Sequence, residues 1–244
     1  MLVQRCLSLL LLMVCGSLHA EEKQTPKRLL FIGNSLTASN DLPSLVQQLF
    51  VTLNQPKPFV EAIVMPGSSL GDHWRNNPKL KQTIIEGKWD YIILQQGPSS
   101  LAASQRELLQ DMATAKPWLK QSNAKACLFM VWPDTSRHRF FPQVRDAYAN
   151  AAKAVDGVFL PAGLSLQYIR EEAPTVNLFN DGLHPNQLGT YLAAYVIAAR
   201  LTSAKPAQLP ARYNWLQGYT VTLAPKEHQL CINAVKAALA DDGK

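Results

Sequence analysis

Five short apolar runs, Arg28 to Ile32, Phe59 to Met65, Tyr91 to Leu94, Ala126 to Trp132 and Gly157 to Leu160, are separated by longer stretches with apolar residues at helical spacing. Strand-length and helix-length patterns that alternate in this way describe βαβ units, and such units build a parallel sheet covered by helices on both faces. The helical stretches run from Pro43 to Leu53, Ser104 to Gln121, Pro142 to Val155 and Asn186 to Leu201, the last placing Leu188, Leu192, Tyr195 and Ala199 on one face. Asp41 offers an N-cap, with Pro43 in the first turn behind it. Pro117 predicts a kink or an end in the second stretch, because proline lacks the N–H that a helix interior uses. The expected architecture is a three-layer α/β/α sandwich around a central, mostly parallel five-stranded sheet. In an open sheet of that kind ligands gather at the carboxyl ends of the strands.

The chain has 244 residues. Its first twenty have the layout of a secretion signal: Arg5 as a positive start, an apolar core from Leu7 to Val14, and Leu18-His19-Ala20 before acidic Glu21-Glu22. The expectation is therefore a signal over residues 1–20, cleaved after Ala20, and a single domain over 21–244 that is secreted or periplasmic. Cys15 stands where lipidation would fall, but bulky Val14 before it disfavours that outcome. Signal removal leaves no integral membrane segment. Two cysteines remain, Cys127 and Cys231, read as separate buried thiols rather than a disulfide framework. A net charge of +6 is spread along the chain without a basic run or a basic stripe interleaved with aromatics, which argues against nucleic acid as a partner. From Pro206 to Pro225 the pattern is irregular and reads as a surface excursion before a helix from Pro225 to Leu239.

Two segments carry chemistry. Gly33-Asn34-Ser35-Leu36-Thr37 directly follows the first strand pattern, so Ser35 lies at a strand's carboxyl edge; Asp181-Gly182-Leu183-His184-Pro185 precedes the Asn186 helix. A serine hydroxyl is a poor nucleophile until a neighbouring imidazole takes its proton, and that imidazole is oriented by an acid. His184 is the preferred base over His73, His138 and His228, and Pro185 holds it as a loop residue at the helix entry. Asp181, three residues earlier, is placed to accept from Nδ1, although Asn180-Asp181-Gly182 is also turn chemistry in its own right. Neither the Gly-x-Ser-x-Gly elbow of the α/β-hydrolases nor a phosphate-cradling P-loop is present.

Taken together, Gly33-Asn34-Ser35-Leu36, Gly67 within Met65-Pro66-Gly67-Ser68, and Asp181 with His184 resemble the blocks of the SGNH, or GDSL-like, family of serine esterases and lipases, over roughly residues 27 to 202. The resemblance implies a flavodoxin-like sandwich, Ser35, Asp181 and His184 as the catalytic residues, and an oxyanion hole built from the backbone N–H groups of Ser35 and Gly67. The third block departs from the family's Gly-x-Asn-Asp: here Gln95-Gln96-Gly97-Pro98-Ser99-Ser100 leaves Ser99 at the asparagine's place. The third donor is therefore open between the Ser99 hydroxyl and the amides of Gln95 and Gln96, of which strand alternation sends at most one to the site. The position of Asn34 implies a role in shaping the turn.

His73 and Trp74 after the second block, and Trp132 and Asp134 around the end of the fourth strand, are candidates for the substrate pocket, since rings flanked by polar groups suit a sugar or an acyl chain. The tryptophans serve equally well as cover for the core edge. Asp72, His73, Asp181 and His184 match no metal-ligand spacing, and the implied mechanism requires no cofactor. The expected activity is hydrolysis of an O-acyl ester by an exported enzyme through an acyl-enzyme on Ser35, with a short acyl group on a carbohydrate as the preferred substrate. Two alternatives stand beside it. One is an acyltransferase of the same mechanism, and the other, motivated by the altered third block, is a catalytically silent glycan-binding protein.

Overall fold

The computed structural model describes residues 25–215 and 218–243. The expected signal at residues 1–20, with Cys15, lies outside the described residues. Five strands, β1 (Arg28–Gly33), β2 (Phe59–Val64), β3 (Tyr91–Leu94), β4 (Lys125–Phe129) and β5 (Val158–Leu160), form one sheet in the order β2-β1-β3-β4-β5. Every pairing is parallel. The chain thus enters at β1, steps to one side for β2, and returns across β1 to build the rest. Right-handed crossovers that run in opposite directions from a central strand place their helices on opposite faces, which yields the three layers.

Helices α1 (Ser35–Ala38) and α2 (Leu42–Thr52) follow β1, α3 (Leu70–Asn76) and α4 (Leu80–Glu86) follow β2, α5 (Ala102–Ser122) follows β3 and α6 (Phe141–Ala154) follows β4. After β5 come α7 (Ala162–Glu172), α8 (Gln187–Thr202) and α9 (Pro225–Ala240). The group α2, α7, α8 and α9 is linked through contacts with α8 and between α7 and α9, while α3, α4 and α6 each pack against α5. β1 is buried over nearly its whole length, whereas edge strand β2 is only half covered. The parallel strands at the centre read as unbroken apolar runs for that reason.

Several boundaries and elements differ from the sequence-based expectation. The α8 segment, read as having one apolar face, is buried all round from Gly189 to Ala199, because α2, α7, α9 and β5 enclose it. The short helices α3 and α4 carried too few turns to stand out, and α7, of 11 residues, is likewise absent from the sequence-based expectation. α3 nevertheless has a capping box, with the Ser69 hydroxyl accepting from Asp72 N and the Asp72 carboxylate accepting from Ser69 N. The segment read as irregular between Pro206 and Pro225 holds an antiparallel hairpin, β6 (Arg212–Asn214) and β7 (Thr220–Thr222). It is pinned by Tyr213 stacked on Tyr191 of α8 with ring centroids 3.7 Å apart. Cys127 and Cys231 are separate and buried. No described helix is long and apolar enough to cross a membrane.

Pro117 neither ends nor divides α5, which runs on from Ala102 to Ser122. Leu108, Met112, Ala115 and Leu119 are buried on both sides of the proline, so the packing of that stripe holds the helix together across the missing hydrogen bond. An interior proline costs roughly 3 kcal/mol against a helix, partly offset by its stiffening of the unfolded chain by about 1 kcal/mol. Pro117→Ala should accordingly stabilise the protein by about 1–2 kcal/mol and raise its melting temperature by several degrees. An unchanged or lower melting temperature in thermal denaturation would show that the fold needs the proline.

Candidate active site

β1 delivers Gly33 and Asn34 to the rim at the point where the strand order reverses, and α1 begins at Ser35. Gly33 is required by close approach rather than by its dihedral angles. A Cβ there would lie 2.3 Å from Thr37 Oγ1 and 2.6 Å from Gln95 Oε1. Asn34 caps α1, its Oδ1 accepting from Leu36 N at 3.1 Å, while its Nδ2 donates to the Ser68 carbonyl at 3.1 Å. The Ser35 N–H, first in the helix, has no acceptor among the described residues, and neither has that of Gly67. Gly67 sits at φ +72°, a conformation that side-chain-bearing residues rarely adopt.

The imidazole arrives from the loop before α8. His184 Nε2 accepts from Ser35 Oγ at 2.9 Å, and His184 Nδ1 donates to Asp181 Oδ2 at 2.7 Å. Asp181 Oδ1 accepts from the backbone of His184 at 2.7 Å and of Leu183 at 3.0 Å. These two backbone bonds first, and then the imidazole, hold the Asp181 carboxyl down to about 2, so it is a carboxylate throughout the neutral range. The loop is closed by a bridge between Phe179 and Pro185, and the Leu183 carbonyl accepts from Trp132 Nε1 at 2.8 Å. Gly182, at φ +89°, makes the turn between acid and base.

The two glutamines after β3 turn to different tasks. Gln95 is buried, its Oε1 accepting from Asn34 N at 3.0 Å and Thr37 Oγ1 at 2.7 Å, and its Nε2 donating to Asn34 Oδ1 at 3.0 Å and to the Gln96 carbonyl. Gln96 reaches the other way: Oε1 accepts from Leu70 N at 3.3 Å and Nε2 donates to Ser99 Oγ at 3.1 Å. The Ser99 hydroxyl in turn donates to the Gly97 carbonyl at 3.3 Å. Asn34, Gly67, Ser68, Gln96, Ser99 and Leu183 line a cavity of about 390 Å³, which thus abuts Ser35 and His184 through their chain neighbours. Asp134 borders the same space, its Oδ1 bonded to the backbone and hydroxyl of Ser136, bonds that lower its pKa.

Three of the four pocket candidates sit elsewhere. Trp132 is fully buried against Phe129 and Phe179 and serves as a prop under the Leu183 carbonyl. Trp74 packs edge-on against Trp118 and donates to the Asp111 carbonyl, away from the cavity lining. His73 is fully buried and donates from Nε2 to the Gly33 carbonyl at 2.8 Å. A residue not singled out from the sequence is Tyr148 of α6, fully buried, whose hydroxyl lies 2.7 Å from the Gln96 carbonyl and 3.0 Å from that of Gly97 and accepts from Gln96 N. Its signal was a phenol in the middle of an apolar helical stripe, where the hydroxyl must find a partner. Among the described residues no group of three or more His, Cys, Asp or Glu side chains is arranged to hold a metal ion.

No protein-family model matches the sequence, and no curated protein matches it. Solved structures do. The class they define is the SGNH-hydrolase type of α/β/α sandwich. A protein from Slackia heliotrinireducens described as an SGNH hydrolase superposes with a TM-score of 0.61 at 22% identity, over 72% of this chain and 100% of the other. A DUF4886 family protein from Bacteroides uniformis gives a TM-score of 0.66 at 18% identity, over 90% of this chain and 97% of the other. A catalytic mutant of an acetylxylan esterase from Geobacillus stearothermophilus gives 0.57 at 15% identity, over 78% and 100%. Identities this low speak for the fold.

Burial lowers the pKa of His73 below its ordinary value of 6.5. The unfolded chain therefore binds a proton that the native protein refuses, so stability is lost as pH falls through about 6.5 and regained as it rises. His73→Gln keeps a donor for the Gly33 carbonyl and cannot titrate. Urea unfolding of the wild type should weaken between pH 7 and about 5, and the variant should be flatter over that span. Equal slopes would show that His73 contributes nothing to it.

Proposed function

We propose that this chain is an exported serine esterase that removes a short acyl group, such as acetyl, from a carbohydrate. The observation that supports it most directly is the unbroken relay from Ser35 Oγ through His184 to Asp181, at 2.9 and 2.7 Å. As Oγ attacks the ester carbonyl, its proton passes to His184 Nε2, and Asp181 stabilises the imidazolium. The oxyanion is held by the uncommitted N–H groups of Ser35 and Gly67. Gln96 is the third donor in this reading: Gln95 is spent on the nucleophile turn and the Ser99 proton on Gly97, whereas Gln96 Nε2 has a second hydrogen and Gln96 is among the cavity-lining residues. Collapse expels the alcohol, which takes the proton from His184. Water then attacks the acyl-enzyme, gives its proton to His184, and releases the carboxylic acid as Oγ is restored.

The cavity of about 390 Å³, with hydroxyls of Ser68, Ser99 and Ser100 beside Pro98 and Leu101, suits a small acyl group and part of a sugar better than a long chain. Export is proposed from the signal-like residues 1–20.

A fluorophosphonate should add one adduct to Ser35 of the wild type, seen as intact mass, and none to Ser35→Ala; a folded wild type that is not labelled would rule the reading out. With p-nitrophenyl acetate, Asp181→Asn should lower kcat by about 10²–10⁴-fold, through loss of imidazole orientation. Gln96→Ala should lower kcat by about 10²–10³-fold with KM little changed, the cost of one oxyanion donor. A Gln96→Ala enzyme of full kcat would return the third donor to Ser99.

A further inference from the structure

A larger cavity, of about 780 Å³, lies on the other flank of the same loop and shares no lining residue with the one beside Ser35. Five side-chain amides border it: Asn40, Asn177, Asn180, Asn186 and Gln187. Asn180 and Asn186 bracket Asp181 and His184 in the chain, so the cavity is built into the segment that carries the relay.

Asn186 is bonded at both ends, its Nδ2 donating to the Asn177 carbonyl and its Oδ1 accepting from Gly189 N; the other four amides are held by one end and open at the other. Asn40 Nδ2 donates to the Pro185 carbonyl and to Thr190 Oγ1, both at 2.8 Å, which leaves its Oδ1. Asn180 Nδ2 donates to the Pro185 carbonyl at 3.3 Å and Gln187 Nε2 to the Tyr219 hydroxyl, leaving an amide oxygen on each. Asn177 is the reverse, its Oδ1 accepting from Phe179 N at 3.1 Å and its Nδ2 open. Fixed acceptors and a fixed donor side by side fit groups that both give and take a hydrogen bond, which are hydroxyls. Val176, Leu188 and Val221 supply apolar wall between them, matching the C–H faces of a sugar ring. Among the described residues no lysine, arginine or histidine lines the space, while Glu227 does, so a polyanion is disfavoured.

We propose that this amide-lined cavity is a saccharide-binding subsite that takes an uncharged di- or trisaccharide segment. Its use as an anchor for the substrate rests on the esterase reading above, since an occupied subsite would tether an acylated glycan beside Ser35.

The test is calorimetry on the full mature Ser35→Ala protein with three unesterified neutral hexasaccharides, β-1,4-linked xylose, glucose and N-acetylglucosamine, and with hexagalacturonate. Saturable binding of at least one neutral chain is expected, with hexagalacturonate at least about tenfold weaker. Val221→Arg, which puts a long charged side chain on the cavity wall, and Gln187→Ala, which removes one acceptor, should each weaken the neutral chain, the former by at least about tenfold. Absence of binding by all three neutral chains overturns the subsite whatever the variants do. Undiminished binding in folded Val221→Arg places the sugar elsewhere and overturns it as well. Turnover of p-nitrophenyl acetate by the wild type reports on Ser35 alone, so loss of the esterase reading and loss of the subsite give different results.

Discussion

The turn that follows the central strand depends on one buried amide. Gln95, at the end of β3, accepts from the backbone of Asn34 and the hydroxyl of Thr37 and donates back to Asn34 Oδ1, while Gly33 leaves room for it to approach. An interior hydrogen-bond group left without its partner costs about 1–3 kcal/mol, so a network in which each member depends on the next has little freedom to rearrange. This network ties the ends of β1 and β3 together where the sheet changes direction. Asn34 extends it to the Ser68 carbonyl and so to the loop after β2. His73 extends it on the other side through the Gly33 carbonyl. The position of Ser35 is thereby a property of three strand ends at once.

The imidazole is held by different means. Its loop is partly exposed, and its geometry comes from bonds within a few residues: Asp181 accepts from the backbone of Leu183 and His184 as well as from the ring, and Phe179 bridges Pro185. Support from farther along the chain comes from Trp132, buried at the end of the β4 segment, whose indole N–H donates to the Leu183 carbonyl, from Thr135 N on the Gly182 carbonyl and from Asn40 Nδ2 on the Pro185 carbonyl. A rigid nucleophile turn thus meets a locally organised loop propped from below. This arrangement suits the proposed chemistry, because the ring must stay in hydrogen-bond reach of Oγ while exchanging protons on the same side.

How far the sequence was legible varied with the physics at each place. The five strands stood out because buried parallel strands are continuous apolar runs, and Ser35, Gly67, Asp181 and His184 stood out because turn residues cluster around them. α3 and α4, seven residues each, are too short for a helical period to declare itself. The full burial of α8 was hidden because alanines, glycine and threonine between its large residues read as a polar face until α2, α7 and α9 close over them. Trp132, Trp74 and His73 misled for a related reason: rings near a strand end look the same in sequence whether they face a ligand or support the backbone beneath it.

Local periodicity and turn chemistry are enough to lay out the layered α/β plan, the order of strands and helices along the chain, and the two segments that meet at the rim. Packing assigned Gln95 to brace the nucleophile turn and left Gln96 among the residues that line the cavity. It also decided that Tyr148 clamps the Gln96–Gly97 backbone and that an amide-lined space lies beside the His184 loop. Those outcomes depend on which hydrogen-bond partners lie within about 3 Å once distant segments are packed, and no pattern of neighbours along the chain encodes that distance.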